Sequence, residues 1–267
     1  MKLRKIHFFV ITVFALIIAY FGTLYCIQDR LIFKPHTQYI SPQKANIPMF
    51  NEQILTMSDG TDIMTWYTDG DKNKPAVLFF HGNSTQMANF TPHLLPIVEN
   101  KNAVFSVEYR GFGNSEGKIS QEKMFSDGAE VFDFIKKKGY KRIILIGYSF
   151  GTAASLGVST LRPANGVVLI APFASLTRLV AEKVPLSNLV LKDDYPSEDY
   201  IKDLTVPLLI LHGNQDPLIP YQHAETLYQN AGSPDKTFIL SEGFNHKQMF
   251  FDEKTPHIIV DWINKRW

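Results

Sequence analysis

Apolar residues gather in short runs, each closed by a polar stretch that carries glycine or proline. Ala76-Val77-Leu78-Phe79-Phe80 stops at His81-Gly82-Asn83, and Ile143-Ile144-Leu145-Ile146 at Gly147-Tyr148-Ser149-Phe150-Gly151. Ala103–Val107, Val167–Ile170, Pro207–Leu211 and Lys236–Leu240 follow the same pattern. Short unbroken runs rich in β-branched residues predict strands buried on both faces. Glu52–Met57 and Asp62–Tyr67, around Ser58-Asp59-Gly60, predict a hairpin. The intervening stretches have helical spacing. Ser120 is placed to cap an amphipathic helix to Lys138, with Met124, Ala129, Val131, Phe132 and Ile135 apolar and lysines near its end. Met87–Asn100 predicts a helix with a start interrupted by Pro92 and Pro96. Tyr221–Asn230 predicts another, and Pro256–Lys265 a closing one opened by its proline.

Strands alternating with helices predict an α/β fold: a mostly parallel central sheet with helices on both faces and an antiparallel hairpin at its start. Ligands in such sheets gather outside the carboxyl ends of the strands, so reactive residues belong in loops that follow strands.

The first residues break this pattern. Met1-Lys2-Leu3-Arg4-Lys5 is basic, and Phe8–Ile27 runs without a charge for the length that crosses a bilayer. The run ends in Thr23-Leu24-Tyr25-Cys26 rather than the small residues of a cleavage site, which predicts an uncleaved signal anchor. Lys2, Arg4 and Lys5 are dense and close before the span, whereas Arg30, Lys34 and Lys44 are spread out after it. That bias predicts a cytoplasmic N-terminus and a domain outside, at a bacterial inner membrane. The expected organisation is therefore an anchor (1–28), an extended connector (29–50) punctuated by Pro35, Pro42 and Pro48, and one domain (51–267) with a short lid at about 174–204. Leu31-Ile32-Phe33 in the connector is expected to dock on the domain.

Composition narrows the chemistry. A chain of 267 residues, 45% hydrophobic, is long enough to bury a large α/β core. A net charge of +1 with no basic block argues against nucleic acid. Cys26 is the single cysteine, so no intrachain disulfide forms. No His/Cys cluster has zinc spacing and no phosphate-binding glycine pattern follows a strand, so neither metal nor cofactor is expected.

Strand, Gly-x-Ser-x-Gly, then the small and apolar Thr152-Ala153-Ala154-Ser155-Leu156 is the context of a nucleophile elbow at Ser149. The pattern alone decides little: Gly113-Asn114-Ser115-Glu116-Gly117 matches it too, within a polar loop that makes Ser115 a loop residue. Serine needs a base, and the base an orienting carboxylate. His246, late in the chain in Glu242-Gly243-Phe244-Asn245-His246, follows the strand to Leu240 and is the candidate base. His81 and His212 end strands and read as turn-bracing. Asp216, after Pro207–Leu211 and His212-Gly213-Asn214-Gln215, is the candidate acid; Asp193, Asp194 and Asp199 read as solvated surface. The order Ser149, Asp216, His246 is that of the α/β-hydrolase fold. Its oxyanion donors are then the backbone N–H groups of Phe150 and Asn83.

With these motifs the chain resembles the serine hydrolases of the α/β-hydrolase superfamily, in particular the membrane-anchored, short-lid group related to the α/β-hydrolase domain-containing proteins. The similarity spans Gln28-Asp29-Arg30-Leu31-Ile32-Phe33-Lys34-Pro35, Asp59-Gly60, His81-Gly82-Asn83, Tyr109–Gly117, Gly147–Gly151, Ala171-Pro172-Phe173, His212–Asp216 and His246. Glu108 stands where that family usually has Asp, at a structural position. The resemblance implies hydrolysis of esters, thioesters or lipid-like acyl substrates. The alternatives are a catalytically silent scaffold or binding protein, disfavoured by the presence of all three residues, and a peptidase on the same fold. Asn83-Ser84-Thr85 is a glycosylation sequon, and a glycan there is incompatible with an oxyanion role.

Overall fold

Ile143, Ile144, Leu145 and Ile146 are fully buried, and their side chains alternate between the two faces of the central sheet. In the computed structural model, which describes residues 2–36 and 38–267, Ile143 and Leu145 face one core and Ile144 and Ile146 the other. Both cores need a covering layer, which is why the run has no polar alternation.

The chain begins with helix α1 (Lys2–Ile32) and a two-residue strand β1 (Lys34–Pro35). The hairpin β2 (Asn51–Thr56) and β3 (Asp62–Thr68) leads into β4 (Ala76–Phe80) and a second short strand, β5 (Ser84–Thr85). Two 3₁₀ turns and α2 (Leu95–Glu99) precede β6 (Val104–Val107) and α3 (Gln121–Lys137). Then come β7 (Ile143–Tyr148), α4 (Gly151–Leu161), β8 (Gly166–Ile170), α5 (Leu176–Ala181) and α6 (Ser197–Tyr200). The chain finishes with β9 (Leu208–Gly213), α7 (Gln222–Asn230), β10 (Lys236–Ser241), α8 (His246–Phe251) and α9 (Lys254–Asn264).

The main sheet has the order β10-β9-β8-β7-β4-β6-β3-β2. Pairing is parallel from β10 to β6; β3 runs antiparallel to both β6 and β2. The expected mostly parallel sheet with a leading hairpin is therefore present. α3 and α4 cover one face through Phe132, Ile135, Ala153 and Leu156, whereas α9 covers the other through Ile259, Trp262 and Ile263. Ser120 caps α3 by accepting from the Lys123 N–H. The hairpin turn is pinned to α3 by Arg110, whose guanidinium donates to both oxygens of Asp127 (2.8 and 2.7 Å) and to Asp59 (2.8 Å). Charge-assisted, bidentate bonds of this kind hold direction as well as distance.

Several boundaries differ from the sequence expectation, and Met87–Asn100, expected as one helix with an interrupted start, is two 3₁₀ turns followed by the short α2. α1 does not end with the apolar run but continues through Gln28–Ile32, and the connector is helical there. Asp29 and Arg30 end the hydrophobicity, not the backbone hydrogen bonding; the helix stops where Pro35 disfavours helical geometry for the residue before it. β9 runs on to Gly213, two residues further than expected. α9 begins at Lys254, so Pro256 sits inside the first turn, where its missing N–H costs no hydrogen bond.

Two buried histidines are expected to make the fold sensitive to acid. His223 Nδ1 accepts from the Ala174 N–H (3.2 Å) and its Nε2 faces Glu182 (3.2 Å). Burial pushes the pKa of His223 down despite Glu182, and burial likewise lowers that of His212. With the folded value below the unfolded one, the unfolded chain binds more protons, so stability falls as pH drops below about 6.5. Thermal unfolding followed across descending pH in detergent is expected to show this decline. His223→Asn, whose Oδ1 retains the acceptor for Ala174, is expected to flatten it.

Candidate active site

β7 ends at Tyr148, and the chain turns so sharply that α4 starts at Gly151. Ser149, at the apex, has a φ of 53°, in the left-handed region that L-residues avoid. Its N–H donates to the Ile170 carbonyl (2.8 Å), which holds the strained residue against β8. The two glycines of the motif are demanded by space. A Cβ on Gly147 would lie 2.3 Å from the Gly151 carbonyl oxygen, and one on Gly151 would lie 2.1 Å from that of Phe80. Backbone cannot yield as a flexible side chain does. Gly151→Ala is therefore expected to cost about 3 kcal/mol or more, read by denaturant unfolding.

Ser149, His246 and Asp216 come from three separate segments and meet in one hydrogen-bonded chain. The Ser149 Oγ lies 2.9 Å from His246 Nε2, and His246 Nδ1 lies 2.6 Å from Asp216 Oδ2. All three are buried, with Ser149 8% exposed. A carboxylate only accepts, so Nδ1 carries the proton and Nε2 presents its lone pair to the serine hydroxyl. Asp216 divides its oxygens: Oδ1 accepts from the N–H groups of Leu218 (2.8 Å) and Ile219 (2.9 Å), leaving Oδ2 for the histidine. Burial alone would raise the Asp216 pKa. The hydrogen bond from His246, its charge and the two backbone donors outweigh that and hold the pKa below the usual carboxylate value. His212 Nε2 lies 3.9 Å from the same Oδ2, beyond hydrogen-bond reach, and its Nδ1 is turned to the Gly213 carbonyl (3.1 Å).

His246 is not in an open loop, as its sequence context suggests, but is the first residue of α8. Asn245 forms a reciprocal capping box with Gln248: Asn245 Oδ1 accepts from the Gln248 N–H (3.0 Å) and the Asn245 N–H donates to Gln248 Oε1 (2.9 Å). His246 therefore rides on a fixed backbone. The Asn-x-x-Gln spacing that builds the box is visible in the sequence.

Gly82 brings the loop after β4 against the serine; a Cβ there would lie 3.7 Å from Ser149 Cβ. Asn83 and Phe150 line the same cavity as Ser149 and His246. Asn83 is clamped to the end of α1: its side-chain amide donates to the Ile32 carbonyl, and its own carbonyl accepts from the Lys34 N–H (2.9 Å). The nitrogen that a glycan would occupy is thus already engaged. β1 pairs in parallel with β5, extending this clamp by two residues. Phe33 buries its ring against Phe150 (4.9 Å between centroids) and Phe112 (6.5 Å). Of the expected docking of Leu31-Ile32-Phe33, Phe33 is buried and Ile32 packs partly buried, whereas Leu31 stays exposed; no local sequence signal points to these partners.

The residues set aside have structural partners. Ser115 is buried, accepts from the Met64 N–H (2.9 Å) and donates to the Glu108 carbonyl (3.0 Å). His81 Nε2 lies 2.9 Å from Glu108 Oε1, and the Glu108 carboxylate also accepts from the Met87 N–H (3.0 Å). Gly113 leaves room for this longer acid, since a Cβ there would meet Glu108 Oε2 at 2.6 Å.

The cavity over Ser149 has a volume of about 660 Å³, within the range of small-molecule sites. Its walls are mainly apolar, with Leu176, Leu179, Val180 and Val184 from α5 and the residues after it. Lys183 and Lys247 are the lysines on its lining, and no Asp or Glu is among the described lining residues.

A mostly parallel sheet with a strained serine at a strand–helix elbow, an acid after β9 and a histidine after β10 defines the α/β-hydrolase fold. The esterase Pf2001 of Pyrococcus furiosus shares it, with a TM-score of 0.72 at 17% identity over 88% of this chain and 97% of that one. Residues 71–192 and 197–254 match the Hydrolase_4 family, described as serine aminopeptidase, S33, and the chain belongs to that family. It is an enzyme of the hydrolase class. Its relatives include the uncharacterized protein YfhR of Escherichia coli K12, 31% identical over 210 residues that cover 74% of each chain. The lysophosphatidylserine lipase ABHD12 of Bos taurus is 26% identical over 326 residues, covering 99% of this chain and 81% of the relative.

Proposed function

We propose that the chain is a membrane-anchored serine hydrolase that cleaves carboxylic esters or thioesters of acyl-chain substrates through an acyl-enzyme. The observation that carries this reading is the Ser149–His246–Asp216 hydrogen-bonded chain at the base of an apolar cavity of about 660 Å³. Ser149 Oγ attacks the carbonyl carbon while its proton passes to His246 Nε2, and Asp216 holds the imidazolium in place. The oxyanion is met by the N–H groups of Phe150 and Asn83, each such donor being worth about 10²–10³ in rate. Collapse expels the alcohol or thiol, which takes the proton from His246. Water then attacks the acyl-Ser149 ester by the same route in reverse, releasing the acid.

The family's serine aminopeptidases raise a second reading, removal of an N-terminal amino acid. A substrate α-ammonium needs an acidic partner in the site. Here the described lining offers Lys183 and Lys247 and no carboxylate. That favours uncharged or anionic acyl substrates, and the name of the ABHD12 relative points the same way. Within the lid segment 174–204, Leu176, Leu179, Val180 and Val184 are the apolar residues that line the acyl cavity.

α1 is exposed from Arg4 to Tyr20, and its stretch Arg4–Ile32 is long and apolar enough to cross a membrane. At 1.5 Å per residue its length of about 46 Å exceeds the roughly 30 Å hydrocarbon core. We read it as the anchor of the domain, with the basic N-terminus in the cytoplasm and the domain outside. Protease added to intact spheroplasts is expected to digest the domain; protection would reverse the orientation.

Esters of graded acyl length test the substrate class. Each methylene buried in the cavity is expected to contribute about 0.8 kcal/mol, or roughly fourfold in kcat/KM, until the chain fills it. A preference for the shortest acyl groups would contradict the reading.

A further inference from the structure

The last turns of α1 are built into the domain. Gln28 is buried; its Nε2 donates to the Val190 carbonyl (2.9 Å) and to that of Tyr25 (3.1 Å), and its Oε1 accepts from the Lys192 N–H (2.9 Å). Lys192 Nζ reaches Asp29 (3.1 Å) and lies 4.9 Å over the Tyr25 ring. The segment before Lys192 therefore runs beside α1 at the level of residues 25–29. If the hydrocarbon takes the charge-free run of α1, this level is the boundary between acyl chains and headgroups, where tyrosine is favoured.

Large apolar side chains stand out into solvent in α1, in the segment before Val190 and on the cavity lining. Leu186 and Leu189 are 60% and 65% exposed, and Leu31 and Leu218, on the cavity lining, are 58% and 51% exposed. Leu186 also holds a left-handed backbone (φ 61°). A contiguous apolar patch on a soluble surface marks an interaction site. Leu31 and Leu218 belong to the cavity lining, and Leu189 adjoins Val190, whose carbonyl is held by Gln28 of α1. Lys183 lies on the same lining and Lys192 beside it.

We propose that the face bearing Leu31, Leu186, Leu189 and Leu218 is seated in the lipid layer that α1 enters, so that the cavity opens onto the membrane and an acyl substrate slides in sideways without crossing water. The inference rests on α1 as a membrane span. A patch at this depth lies within the layer that interfacial apolar groups occupy, roughly 5–10 Å into the headgroup–acyl boundary. α1 is then one wall of the entrance as well as a tether.

The test uses the full chain with Cys26→Ser, which removes the single native thiol, and one new cysteine at a time: Ile17→Cys in α1, Leu189→Cys on the proposed face, and Leu161→Cys at the far end of α4. Each is labelled with an environment-sensitive fluorophore and reconstituted into phosphatidylcholine–phosphatidylglycerol vesicles with or without brominated acyl chains. The expected result is quenching by brominated lipid at positions 17 and 189 and none at 161. If 17 is quenched and 189 behaves like 161, the anchor stands and the seated face is wrong. If 189 is blue-shifted but unquenched by brominated lipid, protein covers the face and the proposal fails. If 17 is unquenched, the span and the proposal fall together. Leu186→Asp with Leu189→Asp is further expected to raise KM for esters carried in vesicles while leaving kcat/KM for a short water-soluble ester unchanged. Equal losses on both would indicate a merely structural role and overturn the proposal.

Discussion

Ser149→Ala is expected to lower kcat for ester hydrolysis by roughly 10⁶-fold, with residual turnover left to the oxyanion donors and binding alone. The hydroxyl makes its side-chain bond to His246 Nε2, and the backbone bond to Ile170 survives the change, so the fold is expected to persist. Ser149→Gly separates chemistry from strain. It is equally inactive, but glycine accepts the 53° φ, so it is expected to be more stable than Ser149→Ala by about 1 kcal/mol. Hydrolysis of a short chromogenic ester and thermal unfolding of the two variants check both parts.

Asp216→Asn is expected to cost about 10⁴-fold in kcat with little change in KM. The asparagine Oδ1 still accepts from the Leu218 and Ile219 N–H groups, so the loop after β9 is retained. The amide nitrogen then stands where Oδ2 accepted at 2.6 Å, and it can only donate to His246 Nδ1. That drives the imidazole proton to Nε2, the atom that must receive the serine proton. A loss confined to kcat, with unfolding temperature near that of the parent, is the signature of the wrong tautomer. A comparable loss of stability would instead assign Asp216 a structural role.

Much of this fold is legible from the chain alone because its interior strands are buried on both sides. The run Ile143–Ile146 has no polar residue to disguise it, and the same holds for Ala76–Phe80. Ser149, Asp216 and His246 are legible as a set because each follows its own strand, and the carboxyl ends of parallel strands converge. What stays hidden depends on distant partners. Gln28 reads as the end of an apolar run, yet its buried amide is satisfied by Val190, 162 residues away. Asn83 reads as a loop residue until Ile32 and Lys34 arrive to hold it. α8 has only six residues, too few for helical periodicity, although its Asn245–Gln248 capping box is written in the sequence. The region from Ser175 to Leu204 reads as a lid with apolar residues and a charged stretch at Asp193, Asp194 and Asp199. In the structure it breaks into the short α5 and α6 with turns between, including the left-handed Leu186.

Fluorophosphonate labelling of the full chain in membranes, with the adduct located by peptide mass spectrometry, tests the central claim most directly. The account predicts a covalent adduct on Ser149 that disappears in Ser149→Ala and is not transferred to Ser115. An unlabelled parent protein, or an adduct on any other serine, would contradict it.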